Sequence, residues 1–168
     1  MRFSSFAAKI FALFLLLSAQ VFAAQDFLPP EKAFRVEAAW LENSNQIEIE
    51  FLPAKGYYIY QQSLKFQAGT QAGSLINVRP SLPVGIEKFD ETFQKKLQVY
   101  KQPFMVLLDV KPSAAKPMHV EATLQGCAEA GICYPPMTLK FLLAGPGVKA
   151  APIPEILDAS QSQATSST

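Results

Sequence analysis

Along most of this chain apolar and polar residues alternate with a period of two rather than 3.6. In residues 46–51, Ile47, Ile49 and Phe51 fall on one parity and Glu48 and Glu50 on the other, which marks a strand with one face on a core and one in water. Residues 118–124 repeat the pattern, setting Met118, Val120, Ala122 and Leu124 against His119, Glu121 and Thr123. Residues 137–143 carry it on through Leu139 and Phe141. The run 104–110 (FMVLLDV) is apolar on nearly both parities and predicts a central strand covered on two faces. Residues 34–40, 57–66 and 75–78 are further strands, separated by turn formers at 43–45, Gly56, 69–73 and 80–83. Short strands so punctuated, over about 115 residues, predict an all-β fold, an antiparallel β-sandwich.

Both ends of the chain break this pattern. Arg2 and Lys9 bracket a positive start, and residues 10–17 (IFALFLLL) form an apolar run shorter than the roughly 20 residues a bilayer needs. Val21 and Ala23 occupy the −3 and −1 positions of a small-residue cleavage site, so residues 1–23 read as a secretory signal peptide, with a buried N-terminal helix as the other reading. At the far end, 145–154 is rich in Gly, Pro and Ala, and 159–168 (ASQSQATSST) has no apolar period. Such a segment buries too little surface to offset the entropy of ordering it. Residues 145–168 are therefore expected to form a flexible linker or disordered tail, with a short docking turn possible at 153–157. One sandwich domain, 24–144, lies between, in an exported chain for which disulfides are permitted.

Composition removes several functions. The chain has 15 basic and 14 acidic residues, a net charge of +1, and no basic patch or stripe for nucleic acid. No second apolar run reaches membrane-spanning length, so the mature chain reads as soluble.

Chemistry is concentrated in QGCAEAGICYPP, residues 125–136, which holds the only two cysteines, Cys127 and Cys133. The flanking strands predict a hairpin-like connection. Facing residues on neighbouring strands have Cα atoms about 4.5 to 5.5 Å apart, within the roughly 4.4 to 6.8 Å that a disulfide spans. Closing so short a loop removes only about 2 kcal/mol of unfolded-state freedom, which makes the bond a weak staple. Short structural bridges do occur, so the spacing leaves a structural and a redox-active bond both open. Gly126, Gly131 and Pro135-Pro136 predict a rigid, exposed loop, and thiol exchange needs exposure. The spacing is not that of a CxxC motif, so a thioredoxin-like active site is not indicated. Met118, His119 and the cysteines fit no compact ligand set, and neither a metal nor another cofactor is expected. Glu129 is the only charge in the loop, so the thiols are expected not to be strongly acidified.

The segment QGCAEAGICYPP resembles the cysteine segment of the periplasmic N-terminal domain of the thiol:disulfide interchange protein DsbD, where a glycine precedes the first cysteine and Tyr-Pro-Pro follows the second. Residues 27–34 (FLPPEKAF) resemble that family's opening segment, and Gly56-Tyr57-Tyr58-Ile59-Tyr60 its Gly-Tyr-Tyr-Leu-Tyr strand. Asp90-Glu91-Thr92-Phe93, followed by Val99-Tyr100, resembles the loop that caps the disulfide. Here Thr92 separates Glu91 from Phe93, and Gln94 and Lys95 stand where the family has its glycine region.

The resemblance implies an immunoglobulin-like sandwich acting as a thiol-disulfide oxidoreductase. Electrons would arrive from a transmembrane DsbD-type conduit, whose protein also carries a C-terminal thioredoxin-like domain. They would leave to periplasmic thioredoxin-like proteins, among them a disulfide isomerase and a cytochrome c maturation reductant. Carried over, Cys133 would form mixed disulfides with partners and Cys127 would resolve them. Phe93 would shield the bond, Asp90 and Glu91 would stand beside it, and Tyr58 and Tyr60 would line the site. The chain would be either a stand-alone relay or a piece of a longer product. The other functional class is a non-catalytic sandwich that binds a partner and carries a structural disulfide.

Overall fold

Residue parity builds the core directly. In the computed structural model, which describes residues 26–153 except Asn43, 71–73, Thr92 and 111–116, strand β1 (Phe34–Trp40) buries Phe34, Val36, Ala38 and Trp40. Its antiparallel partner β2 (Gln46–Pro53) buries Ile47, Ile49 and Phe51. A one-turn helix, α1 (Pro30–Ala33), leads into β1 and begins on proline, whose fixed φ suits a first helical position. The chain continues through β3 (Tyr57–Tyr60), a 3-10 turn at Gln61–Ser63, β4 (Lys65–Gly69), β5 (Ile76–Asn77), β6 (Pro80–Ser81) and β7 (Ile86–Asp90). It ends with β8 (Lys95–Tyr100), β9 (Phe104–Asp109), β10 (Met118–Leu124), β11 (Gly126–Ala128), β12 (Met137–Leu143) and β13 (Lys149–Ala150).

These strands form three antiparallel sheets, ordered β13-β1-β2-β9-β6, β12-β10-β4-β5 and β11-β3-β8-β7. The inner faces of the first two share one core, in which Val36, Ile49 and Val106 meet Phe66, Val120, Leu124 and Phe141. The fold is the expected immunoglobulin-like β-sandwich. The third sheet carries the cysteines. Among the described residues no helix is long and apolar enough to cross a membrane.

Three details differ from the sequence expectation. The run 57–66 is not one strand. Ser63 Oγ donates to the carbonyl of Tyr60 and accepts from the N–H of Gln125, and this pins the 3-10 turn that sends β3 and β4 into different sheets. Strand β9 is covered on one face only, since Met105 is 55% exposed and Asp109 is open to water. Within the expected linker, β13 pairs with β1, and the Ile153 N–H donates to the Lys140 carbonyl of β12. Backbone pairing with an open edge orders this stretch although it buries little apolar surface. The expected signal peptide and residues 154–168 lie outside the described residues.

Candidate functional site

A tight hairpin sets the two cysteines opposite each other. The Ala128 N–H donates to the Ile132 carbonyl at 2.7 Å, and the Gly131 N–H donates to the Ala128 carbonyl at 3.0 Å. Gly131 closes the turn at φ 104°, a conformation open to glycine and costly for other residues. The next backbone bond, Tyr134 N–H to the Gly126 carbonyl, lies on the other side of the cysteine pair. Cys127 and Cys133 are thus a non-hydrogen-bonded facing pair, the closer of the two kinds. They form a disulfide with a Cα separation of 4.0 Å, below the separation expected from sequence.

The two sulfurs differ in surroundings. Strand β11 pairs with β3, placing Cys127 opposite Tyr58, and Cys127 is 1% exposed, packed with Tyr58, Tyr60, Leu97 and Val99. Cys133 lies on the outer side of the hairpin and is exposed. The expected exposed loop is therefore exposed on one side only, because a strand and a small apolar cluster cover the other.

Beneath the disulfide lies a tyrosine floor. Strand β3 is buried on both faces: Tyr57 and Ile59 enter the main core, while Tyr58 and Tyr60 face the cysteines. The Tyr60 hydroxyl donates to Asp90 Oδ2 and lies 3.4 Å from the Tyr58 hydroxyl. It also lies 3.3 Å from Cys127 Sγ and 4.0 Å from Cys133 Sγ. Burial, aided by the bonds to Asp90 and Tyr58, holds the Tyr60 hydroxyl well above the usual tyrosine range, so Tyr60 is a neutral donor at any physiological pH.

Asp90 is the one charged side chain classed as buried among the described residues, at 4% exposure. Its second oxygen accepts the Phe93 N–H at 3.0 Å. One carboxylate thereby ties the floor to the β7–β8 turn. The Phe93 ring meets Tyr60 edge to face at a centroid distance of 6.1 Å and is itself 51% exposed. Glu91 is exposed, and its carbonyl accepts a bond from the Gln94 side chain. Gln94 has φ 52°, so a non-glycine residue takes up left-handed backbone where the resembling family has its glycine region. Of the residues named from sequence, Cys127, Cys133, Tyr58, Tyr60, Asp90 and Phe93 are brought together, and Glu91 is not.

Sequence reading missed the strands that hold this turn and the cations on it. Lys88 Nζ stands 4.9 Å from the Tyr58 ring centroid and Lys95 Nζ 5.9 Å from that of Phe93, while Lys101 pairs with Glu129 of the hairpin. Glu129 remains the only charge within the cysteine loop, and these lysines approach the site from β7, β8 and the residue after β8. Leu97 and Val99 do alternate in KKLQVY, a signal that could have marked β8.

Comparison with known proteins gives a consistent result. The family described as thiol:disulfide interchange protein DsbD, N-terminal, matches residues 24–145. DsbD of Ralstonia nicotianae is 38% identical over 135 residues, covering 78% of this chain and 22% of that protein. DsbD of Neisseria meningitidis serogroup A is 39% identical over 140 residues, covering 82% and 22% respectively. The chain thus spans about a fifth of the length of these relatives. The reduced N-terminal domain of Neisseria meningitidis DsbD superposes with a TM-score of 0.64 at 34% identity, over 77% of this chain and 98% of that one. The same organism's domain in complex with the PilB N-terminal domain gives 0.59 at 37% identity, over 74% and 92%.

Proposed function

Because this chain belongs to the family of DsbD N-terminal domains, we propose that it exchanges thiols and disulfides in the periplasm through Cys127 and Cys133. In this reading it takes electrons from a transmembrane DsbD-type conduit with its C-terminal thioredoxin-like domain. It passes them to thioredoxin-like proteins serving disulfide isomerisation and cytochrome c maturation. The observation that carries the reading is the asymmetry of the pair, with Cys127 buried and Cys133 exposed. Of the two sulfurs, that of the exposed Cys133 is the one open to a docked partner's thiolate, and that of the buried Cys127 is not. The solved Neisseria complex with a PilB domain supports a folded protein as the partner.

Reduction then proceeds in two balanced exchanges. A donor thiolate attacks Cys133 Sγ, the Cys127–Cys133 bond breaks, and Cys127 leaves as a thiolate. The donor's second thiolate next attacks its own sulfur in the mixed disulfide, releasing Cys133, and two protons from the donor end on the two cysteines. Delivery reverses the sequence: Cys133 attacks the partner's disulfide, and Cys127 displaces the reduced partner. A buried thiolate on Cys127 is costly, and the neutral Tyr60 hydroxyl at 3.3 Å is placed to turn its hydrogen from Asp90 toward that sulfur. Phe93, packed edge to face on Tyr60, takes in this reading the part of a shield that a docking partner displaces.

Cys127→Ser tests this reading. The variant should accumulate a covalent adduct through Cys133 with an oxidised thioredoxin-like protein. A structural bridge predicts no adduct and a reduction potential below about −300 mV.

A further inference from the structure

The two cysteines are held by different parts of the molecule. Cys127 is fixed by the pairing of β11 with β3. Cys133 faces Cys127 across a single backbone bridge, flanked by the Ala128–Ile132 and Tyr134–Gly126 hydrogen bonds, and on reduction it loses the disulfide and keeps only this short pairing. Beyond these hairpin bonds, its strand is tied to the rest of the domain through the next residue, Tyr134. The Tyr134 hydroxyl donates to the Leu28 carbonyl at 2.6 Å, and the Leu28 N–H donates to the Tyr57 hydroxyl at 2.8 Å. One residue of the N-terminal arm is thus gripped by both its peptide groups, through two tyrosines that each adjoin a residue of the disulfide site.

The rings pack as a unit. Phe34 meets Tyr57 and Tyr134 edge to face at 5.8 and 5.4 Å, and Tyr57 lies 6.2 Å from Tyr134. The base of the hairpin presses on the same box, since a Cβ at Gly126 would come within 2.5 Å of Phe34 Cε1. The arm, the aromatic box and the Cys133 side of the hairpin form one packed block.

We propose that Tyr134 and the Leu28 segment are positioning elements for Cys133. They hold it opposite Cys127 when no bond joins the two. The inference rests on the exchange reading above. Its consequence falls on one step: after Cys133 has formed a mixed disulfide, Cys127 attacks Cys133 Sγ, the intramolecular bond forms, and the partner's thiolate departs. That rate depends on how well the backbone presents Cys133 to Cys127. The first attack by Cys133 on an external disulfide needs no such alignment.

Reaction of the reduced protein with 5,5′-dithiobis(2-nitrobenzoate) separates the steps. The first thionitrobenzoate is released in a phase proportional to reagent, and the second in a reagent-independent phase as Cys127 closes the bond. Tyr134→Phe keeps the ring and removes the bond to Leu28. Leu28→Pro removes the N–H given to Tyr57. Each should slow the reagent-independent phase about fivefold, the effect of one ordinary hydrogen bond, with the first phase changed less than about twofold. An unchanged second phase in either variant, or a parallel fall of both phases, overturns the proposal. The assay uses no protein partner, so a failure of the relay reading, seen as no adduct with thioredoxin-like proteins, is scored separately.

Discussion

Tyr60→Phe removes one oxygen at the point where the floor, the carboxylate and the sulfurs meet. The ring stays, so apolar burial and the edge-to-face contact with Phe93 are kept. What is lost is the bond to buried Asp90 and the contact 3.3 Å from Cys127 Sγ. The Phe93 N–H still reaches Asp90. A hydrogen bond to a charged group contributes about 1.5 to 3 kcal/mol, so the oxidised protein should lose about 2 kcal/mol of stability. For a domain of this size that lowers Tm by roughly 6 to 8 °C. The kinetic effect is smaller than the full bond, because charge on the leaving Cys127 is only about half developed at the transition state of exchange. About 1 kcal/mol is then added to the barrier, a slowing of about fivefold. Reduction by dithiothreitol, quenched by alkylation and read on gels, measures it. The ratio of wild-type to variant rates should stay constant from about pH 6 to 9, because burial keeps Tyr60 protonated throughout. Tyr58→Phe, whose hydroxyl contacts that of Tyr60, serves as the control and should change the rate less than about twofold. An unaltered reduction rate in Tyr60→Phe, alongside the expected fall in Tm, would refute the assignment of that hydroxyl to the leaving thiolate.

Three further outcomes follow from the geometry. Burial raises the pKa of Tyr60 and of Tyr100, so the folded state favours their protonated forms. That contribution is complete below about pH 10, where unfolded tyrosine begins to ionise, and is lost as pH rises from there toward the folded values; calorimetry should show Tm falling above pH 10, less steeply in Tyr60→Phe. Gly126→Ala would put a Cβ 2.5 Å from the Tyr58 carbonyl oxygen as well as against Phe34 and should cost at least about 2 kcal/mol by overpacking, whereas Gly131→Ala meets open space but keeps φ 104° and should cost about 1 to 2 kcal/mol through backbone strain; urea titration separates the two. Phe93→Ala, made in reduced Cys127→Ser protein, should raise the alkylation rate of Cys133 severalfold while changing stability by less than about 1 kcal/mol, since the ring is half exposed; an unchanged rate would mean that Phe93 does not shield the sulfur.

Strands with one wet face were legible because their pattern is local. Met118–Leu124 and Met137–Leu143 appear with their expected bounds and pair in full register, Met118 with Leu143 through Leu124 with Met137. Strand β7 (IEKFD) was not legible. Its buried residue is Asp90, while Ile86 and Phe89 are exposed, so its polarity is inverted relative to an ordinary strand. Hydropathy cannot announce a strand whose inward residue is a carboxylate held by a tyrosine on another strand.

The linear chain by itself determined the alternation, and hence the two-layer sandwich, because a strand sends successive side chains to opposite faces. It also placed the two cysteines between paired strands, where a disulfide can form. The tertiary structure decided which sulfur is buried, which cations stand over Tyr58 and Phe93, and how the Leu28 arm reaches Tyr134. The first two depend on the third sheet, in which β11, β8 and β7 assemble beside β3, and the last on the aromatic box of the main core. Parity tells which residues share a face, but only the stacking of sheets tells whether water or protein lies against it.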